Sequence, residues 1–250
     1  MILRRLGNKT KIADKINPYF PKHDAYIELF FGAGGVFFNK RPMAKYNFLN
    51  DIDDDIFNLF LVLKDRKKEL IEAIEQTFLH DKIMKYWVKH EETEPILKAV
   101  RFLYLSNFSL YGTGDTLKLC CNNSKKILIN NIVNSPLTNA FFLNVDFREA
   151  LSHISIKNKK MFFVYADPPY INSNNNYNSI WDEKDFDDLL FMLVGSGIRF
   201  AISEYDNPLI VEKAKRCNLN VVKVCERQML KNRNTEILIT NYETTNLFCN

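Results

Sequence analysis

No Cys-x-x-Cys pair occurs in this chain, and its five cysteines, Cys120, Cys121, Cys217, Cys225 and Cys249, are odd in number. Neither a disulfide framework nor a zinc knuckle is indicated, and a reducing, cytoplasmic setting is expected. Histidine is scarce: four scattered residues, with "HEETE" at 90–94 lacking the second histidine that a metalloprotease helix requires. No metal site is expected. Long apolar runs are also missing. The opening "MILRRLGNKTKIADK" has no signal-peptide core, and no later segment approaches the roughly 18 uninterrupted apolar residues of a membrane span. What is present is an ordinary globular composition, 46% hydrophobic and 26% charged, in 250 residues, enough for one well-buried core and a smaller lobe. The net charge of +4 permits a polyanionic partner without demanding one. Its distribution says more. Residues 1–22 carry six basic side chains against one acid, and residues 207–235 carry seven against two, so two segments of local charge +5 could frame one groove.

Periodicity predicts an alternation of strands and helices. "AYIELFF" (25–31) reads as a strand entering a glycine turn, with "GVFFNK" starting a helix, and "KYNFLND" (45–51) as a second strand. "DIDDDIFNLFLVLKD" follows, a helix with acids in its first turn and Ile56, Leu59, Phe60 and Leu63 on one face. From Lys67 to about Leu105 the pattern stays helical, and from Ser106 to Asn139 an Asn, Ser, Gly and Thr-rich composition suggests loops and a hairpin. Strands resume at "FFLNVD" (141–146), "MFFVYA" (161–166), "IRFAIS", "NVVKVCE" and "EILITNY", with helices at "EKDFDDLLFMLV" and "PLIVEKAKRC". The expectation is an α/β fold: a mostly parallel sheet covered by helices, with an antiparallel hairpin at one edge where only a loop separates the last two strands. Residues 1–66 and 140–250 form its main domain and 67–139 an insertion.

Ligands of open parallel sheets sit at the carboxyl ends of the strands, so the strand ends carry the functional signal. The first runs into Gly32, Ala33, Gly34 and Gly35, where glycines let the backbone approach a ligand. The bare alternative is a tight turn. The second ends at Asp51, 19 positions after Gly32, where an acid can accept from ribose hydroxyls; Asp53 to Asp55 read as a cap and solvated first turn. Together they suggest a nucleoside, but the third glycine of the dinucleotide fingerprint is missing. Asp146 and Phe147 in "NVDF" pair an acceptor with a flat ring, suited to an adenine or equally to a helix cap and a core phenylalanine. The fourth strand end is Asp167-Pro168-Pro169-Tyr170. A planar aromatic amine attacks an electrophile only when its lone pair is freed from the ring. A carboxylate and a prolyl carbonyl aimed at its N–H bonds favour that state, while Tyr170 stacks on the base and the two prolines hold the groups in fixed relation.

These motifs, in this order, resemble the DNA adenine methylase family over nearly the whole chain. "LGNK" (6–9) is similar to its N-terminal glycine-lysine signature, "ELFFGAGG" (28–35) to its cofactor motif, "LNDID" (49–53) to its second-strand acid motif, "NVDF" to its adenine-pocket motif, "ADPPY" to its catalytic motif and "TEILITNY" (235–242) to its closing strand. The resemblance implies a Rossmann-like methyltransferase sheet with a smaller helical target-recognition lobe, 67–139, between the cofactor and catalytic motifs. It implies transfer of methyl from S-adenosyl-L-methionine to the exocyclic amine of adenine in double-stranded DNA, by base flipping. By the same resemblance Arg5, Lys9, Glu28, Phe30, Gly32, Ala33, Gly34, Asp51, Ile52, Asp146, Phe147 and Asp167 serve the cofactor, and Asp167, Pro168, Pro169 and Tyr170 the reaction. Asn107, Tyr111, Lys118, Lys125 and Lys126 are candidate DNA contacts. A monomer or weak dimer is expected, and a cognate restriction endonuclease acting separately is compatible with it. Related sites also methylate RNA adenine, DNA cytosine or protein glutamine, and an inactive cofactor-binding module is a further alternative. The basic segments speak against a protein substrate, and the intact Asp167 to Tyr170 stretch speaks against inactivity. Residues 171–181, with Tyr177 and Trp181, either close over the base or staple the next helix.

Overall fold

The computed structural model describes residues 1–5, 7–109, 124–171, 181–228 and 233–244. In chain order the elements are α1 (Ala13–Ile16), β1 (Ala25–Glu28), β2 (Tyr46–Asn50), α2 (Asp54–Asp65), α3 (Lys67–Gln76), α4 (Asp81–Lys89), α5 (Pro95–Phe108) and α6 (Lys125–Val133). Then follow β3 (Ala140–Leu143), α7 (Phe147–Ala150), β4 (Phe162–Ala166), α8 (Glu183–Ser196), β5 (Arg199–Tyr205), α9 (Pro208–Arg216), β6 (Asn220–Gln228) and β7 (Arg233–Thr240). The strands form one sheet in the order β3-β2-β1-β4-β5-β7-β6. β7 alone runs against its neighbours, pairing antiparallel with β5 and β6, as the short link between the last two strands requires.

Strand alternation sends side chains to two separate layers. Phe163 and Tyr165 of β4 face a cluster with Phe37, Phe60, Leu70, Tyr104 and Phe108, whereas Val164 and Ala166 face Phe186, Leu189, Leu193, Phe200 and Ile202. The helices of the 67–139 span belong to the first cluster, through Leu70, Ile74, Met84, Trp87, Leu103, Leu128 and Ile132. Their buried face is continuous with that of the sheet. The Tyr104 hydroxyl ties α5 to the end of α3, donating to the carbonyls of Ile74 and Thr77 at 3.1 and 2.9 Å.

Two elements differ from the expectation. "GVFFNK" forms only a 3-10 turn, Phe37–Asn39, with Lys40 already extended. Pro42 disfavours helix at Arg41 before it, so the turn has no room to lengthen. Within the asparagine-rich stretch, Lys125–Val133 is a helix and not a loop or hairpin strand. Ser124 caps it by accepting from the Ile127 amide, and Leu128 and Ile132, four residues apart, are buried where it packs on α3.

Candidate active site

The strand order turns back between the adjacent central strands β1 and β4, with β2 and β3 on one side and β5 on the other. The glycine turn leaves β1 and the Asp167 to Tyr170 stretch leaves β4 at this switch point, where open sheets bind ligands. Gly32 and Gly34 have left-handed φ values of 53° and 68°. A Cβ at Gly32 would meet nothing within 4 Å, so the turn opens onto free space, whereas one at Gly34 would strike the rings of Phe38 and Phe31 at 2.6 and 2.7 Å. The Gly32 amide donates to Asp51 Oδ2 at 2.6 Å and the Asp53 amide to Oδ1 at 3.0 Å. These bonds lock the first-strand turn to the second-strand acid. Burial pushes the Asp51 carboxyl up to about 6 against the pull of the two amides. Ile52 beside it is 61% exposed, while Ala33 is buried. Asp53 caps α2 and pairs with Arg5 at 2.8 Å.

Lys9 is only 3% exposed. Its Nζ lies 2.6 Å from Asp167 Oδ1, 3.6 Å from Glu236 Oε1 and 4.6 Å from the Tyr170 ring centroid. Burial alone would lower the Lys9 pKa, but the Asp167 and Glu236 carboxylates outweigh it and raise it. Burial pushes Asp167 up in turn, against the pull of Lys9. Lys9 is delivered by the 8–10 loop, which lies on the glycine turn. A Cβ at Gly35 would collide with Asn8 Oδ1 and come within 2.9 Å of the Lys9 amide and 2.8 Å of the Thr10 amide. The Tyr170 hydroxyl donates to Glu236 Oε1 at 2.5 Å, and its ring meets Tyr205 edge-on with centroids 4.2 Å apart. Burial holds the Tyr170 pKa well above its ordinary value, keeping the hydroxyl a donor. Pro168 is buried and Pro169 partly so.

Phe30 and Phe147 come together, ring centroids 5.4 Å apart, and Trp181 packs on both at the same distance. Trp181 directly precedes Asp182, the cap of α8, and shares a buried cluster with Phe186 of that helix. Glu28 is buried and accepts from the Tyr26 hydroxyl at 2.8 Å. Asp146 caps α7 and pairs with Arg148. Asn107 is buried and donates to the carbonyls of Ile2 and Leu103. Lys125 closes the end of α3, donating to the carbonyls of Glu75 and Thr77, and Lys126 is exposed. Tyr111, Lys118 and Tyr177 lie outside the described residues. The sequence reading missed Glu236, Ser203, Arg227 and Glu204, which surround the Asp167 stretch from β5, β6 and β7. The available signal was an acid heading the apolar run "ILI" within the last strand.

Among the described residues no helix is long and apolar enough to cross a membrane. Residues 6–230 match the model of the D12 class of N6 adenine-specific DNA methyltransferases. The chain is 28% identical to a DNA adenine methylase of Salmonella typhi, over 89% of this chain and 86% of that protein. A DNA adenine methylase of Haemophilus influenzae is 31% identical, over 67% of this chain and 63% of its own length. Modification methylase StsI of Streptococcus sanguinis is 26% identical, over 97% of this chain and 43% of its own. With the glycine turn, the Asp51 carboxylate bound to it and an Asp-Pro-Pro-Tyr stretch gathered at one switch point, the match along nearly the full length leads to one conclusion: the chain belongs to the D12 class of N6 adenine-specific DNA methyltransferases.

Proposed function

We propose that this DNA adenine methyltransferase takes its methyl group from S-adenosyl-L-methionine and places it on the amine of an adenine extruded from the duplex. The observation that carries this reading is the buried contact of Lys9, Asp167, Tyr170 and Glu236 beside the open glycine turn and Asp51. The residues present fit the cofactor. Free space lies over Gly32, Asp51 is fixed with lone pairs to spare for ribose hydroxyls, and Ile52 offers an apolar surface next to it. Phe30 and Phe147 suit its base, and Lys9 its methionine end. Glu28, Arg5 and Asp146, each held by a neighbour, act by supporting these groups.

The cofactor supplies an electrophilic methyl group. The chain's part is to orient the amine. Asp167 and the Pro168 carbonyl accept its two N–H bonds, which localises the lone pair and stabilises the positive charge that develops on nitrogen. Tyr170 stacks on the extruded base, whose removal from the helix costs roughly a few kcal/mol. No general base is required, because the alkylated ammonium is acidic enough to release its proton to water. The 67–139 span, including Tyr111, Lys118 and Lys126, is the target-recognition region of this reading, and a cytoplasmic location follows from the substrate. The test is transfer of labelled methyl from S-adenosyl-L-methionine to duplex DNA of broad sequence coverage, followed by nucleoside analysis. Label is expected in methyladenine of DNA, with Asp167→Ala folded but nearly inactive. Full activity in that variant would overturn the mechanism.

A further inference from the structure

We propose that Glu236 is a positioning residue of this active site, the common acceptor that fixes Tyr170 and receives Lys9 when Asp167 engages the target amine. The inference rests on the reaction proposed above. Glu236 is fully buried in β7, opposite Tyr205 of β5 and Cys225 of β6. An isolated carboxylate there would be strongly disfavoured, and a well-packed apolar residue would serve the strand at less cost. Its three hydrogen-bond donors and one ion-pair partner come from four separate parts of the chain. Oε1 accepts from the Tyr170 hydroxyl and from Ser203 Oγ, Oε2 accepts from Arg227 at 3.2 Å, and Lys9 Nζ stands 3.6 Å from Oε1. Of the four, Tyr170 belongs to the catalytic stretch and Lys9 touches it at Asp167.

Two consequences follow from this placement. The two prolines fix the backbone before Tyr170, and the hydroxyl bond to Glu236 removes the remaining freedom of the ring, so the stacking surface is set before the base arrives. Second, Lys9 occupies Asp167 Oδ1, an oxygen suited to accept an amine N–H. Displaced from it, the ammonium has a second buried carboxylate within about 1 Å of its present reach and need not be left unpaired. Glu236→Gln keeps an acceptor for the hydroxyls but loses the charge that receives Lys9, and Glu236→Leu loses both.

The experiment combines single-turnover methylation of duplex DNA with urea-unfolding midpoints for Glu236→Gln, Glu236→Leu, Tyr170→Phe and the Leu/Phe double variant. Glu236→Gln is expected to lower the methyl-transfer rate about 100-fold, while its S-adenosylhomocysteine dissociation constant stays within about threefold of wild type. Transfer within about twofold of wild type would overturn the proposal. The midpoint shift caused by Tyr170→Phe is expected to shrink in the Glu236→Leu background, because the hydroxyl then has lost this acceptor. An undiminished shift there would also overturn it. The unfolding cycle needs no substrate, so it reads Glu236 even if wild-type protein transfers no methyl to DNA, a result that would instead remove the proposed function.

Discussion

At the residue scale the site depends on carboxylates whose surroundings differ. Asp51 has its pKa raised to about 6 chiefly by burial, so it is largely ionised at neutral pH and loses charge as the pH falls through 6. If it accepts from ribose hydroxyls, S-adenosylhomocysteine affinity should weaken as the pH falls from 7 to 5. Asp51→Asn should bind about tenfold more weakly at pH 7 and lose that pH dependence, which isothermal titration across the range would read. Glu204 is buried on β5, with Oε1 accepting from the Tyr205 amide and Oε2 without a hydrogen bond among the described residues, and burial lifts its pKa from 4.5 to about 8. The folded state therefore holds a proton that the unfolded chain releases above pH 4.5. By linkage the wild type is penalised increasingly from pH 4.5 to 8 and no further above it. Glu204→Gln should match wild type in urea midpoint near pH 4 and exceed it by a margin that grows to pH 8. An equal midpoint at both pH values would contradict the assignment.

At the element scale the glycine turn and the N-terminal loop are one unit, because Gly35 is where the 8–10 backbone crosses the turn. Gly35→Ala would drive a methyl group into the amides of Lys9 and Thr10, and the loop carrying Lys9 must give way. We expect methyl transfer to fall by about 100-fold with a destabilisation of about 1–3 kcal/mol, measured by single-turnover kinetics and urea unfolding. Gly32→Ala has open space around its Cβ, so its cost should be confined to the strained left-handed backbone. The strands around this unit were legible in the sequence, since "AYIE", "FFVYA" and "RFAISEY" are short, largely apolar runs, each ending at or just before a polar residue or turn. Legible too was the placement of Asp51, Asp167 and Tyr170 just past strand ends, because local pattern fixes position there. The α6 helix was hidden because asparagines dilute an apolar pair four residues apart. Glu236 was hidden for another reason: its partners lie 66 and 33 residues away in Tyr170 and Ser203, and no local pattern encodes that meeting.

At the scale of the whole molecule, the two basic segments meet. α1 packs against β6, and Lys9 from one segment and Arg227 from the other converge on Glu236. Counting charge along the sequence overstated what they offer to DNA, however. Lys9 and Arg227 are committed to the buried network, Lys213 pairs with Glu183 and Asp187, Arg216 with Glu212, and Lys223 with Asp206. Lys11 and Lys15 instead are exposed, with no ion pair among the described residues, and they follow the loop that carries Lys9, Lys15 on α1. Each phosphate neutralised releases condensed counterions, so the salt dependence of binding counts the contacts. Lys11→Gln and Lys15→Gln should each weaken binding to duplex DNA of any sequence and reduce the slope of log K against log salt by about one. Lys213→Gln should leave that slope unchanged, because its charge is already balanced by two acids on α8. Fluorescence anisotropy of labelled duplexes over a salt series would measure all three. A slope lowered by Lys213→Gln and untouched by the other two would place the DNA on the α8–α9 face of the molecule, away from the N-terminal loop.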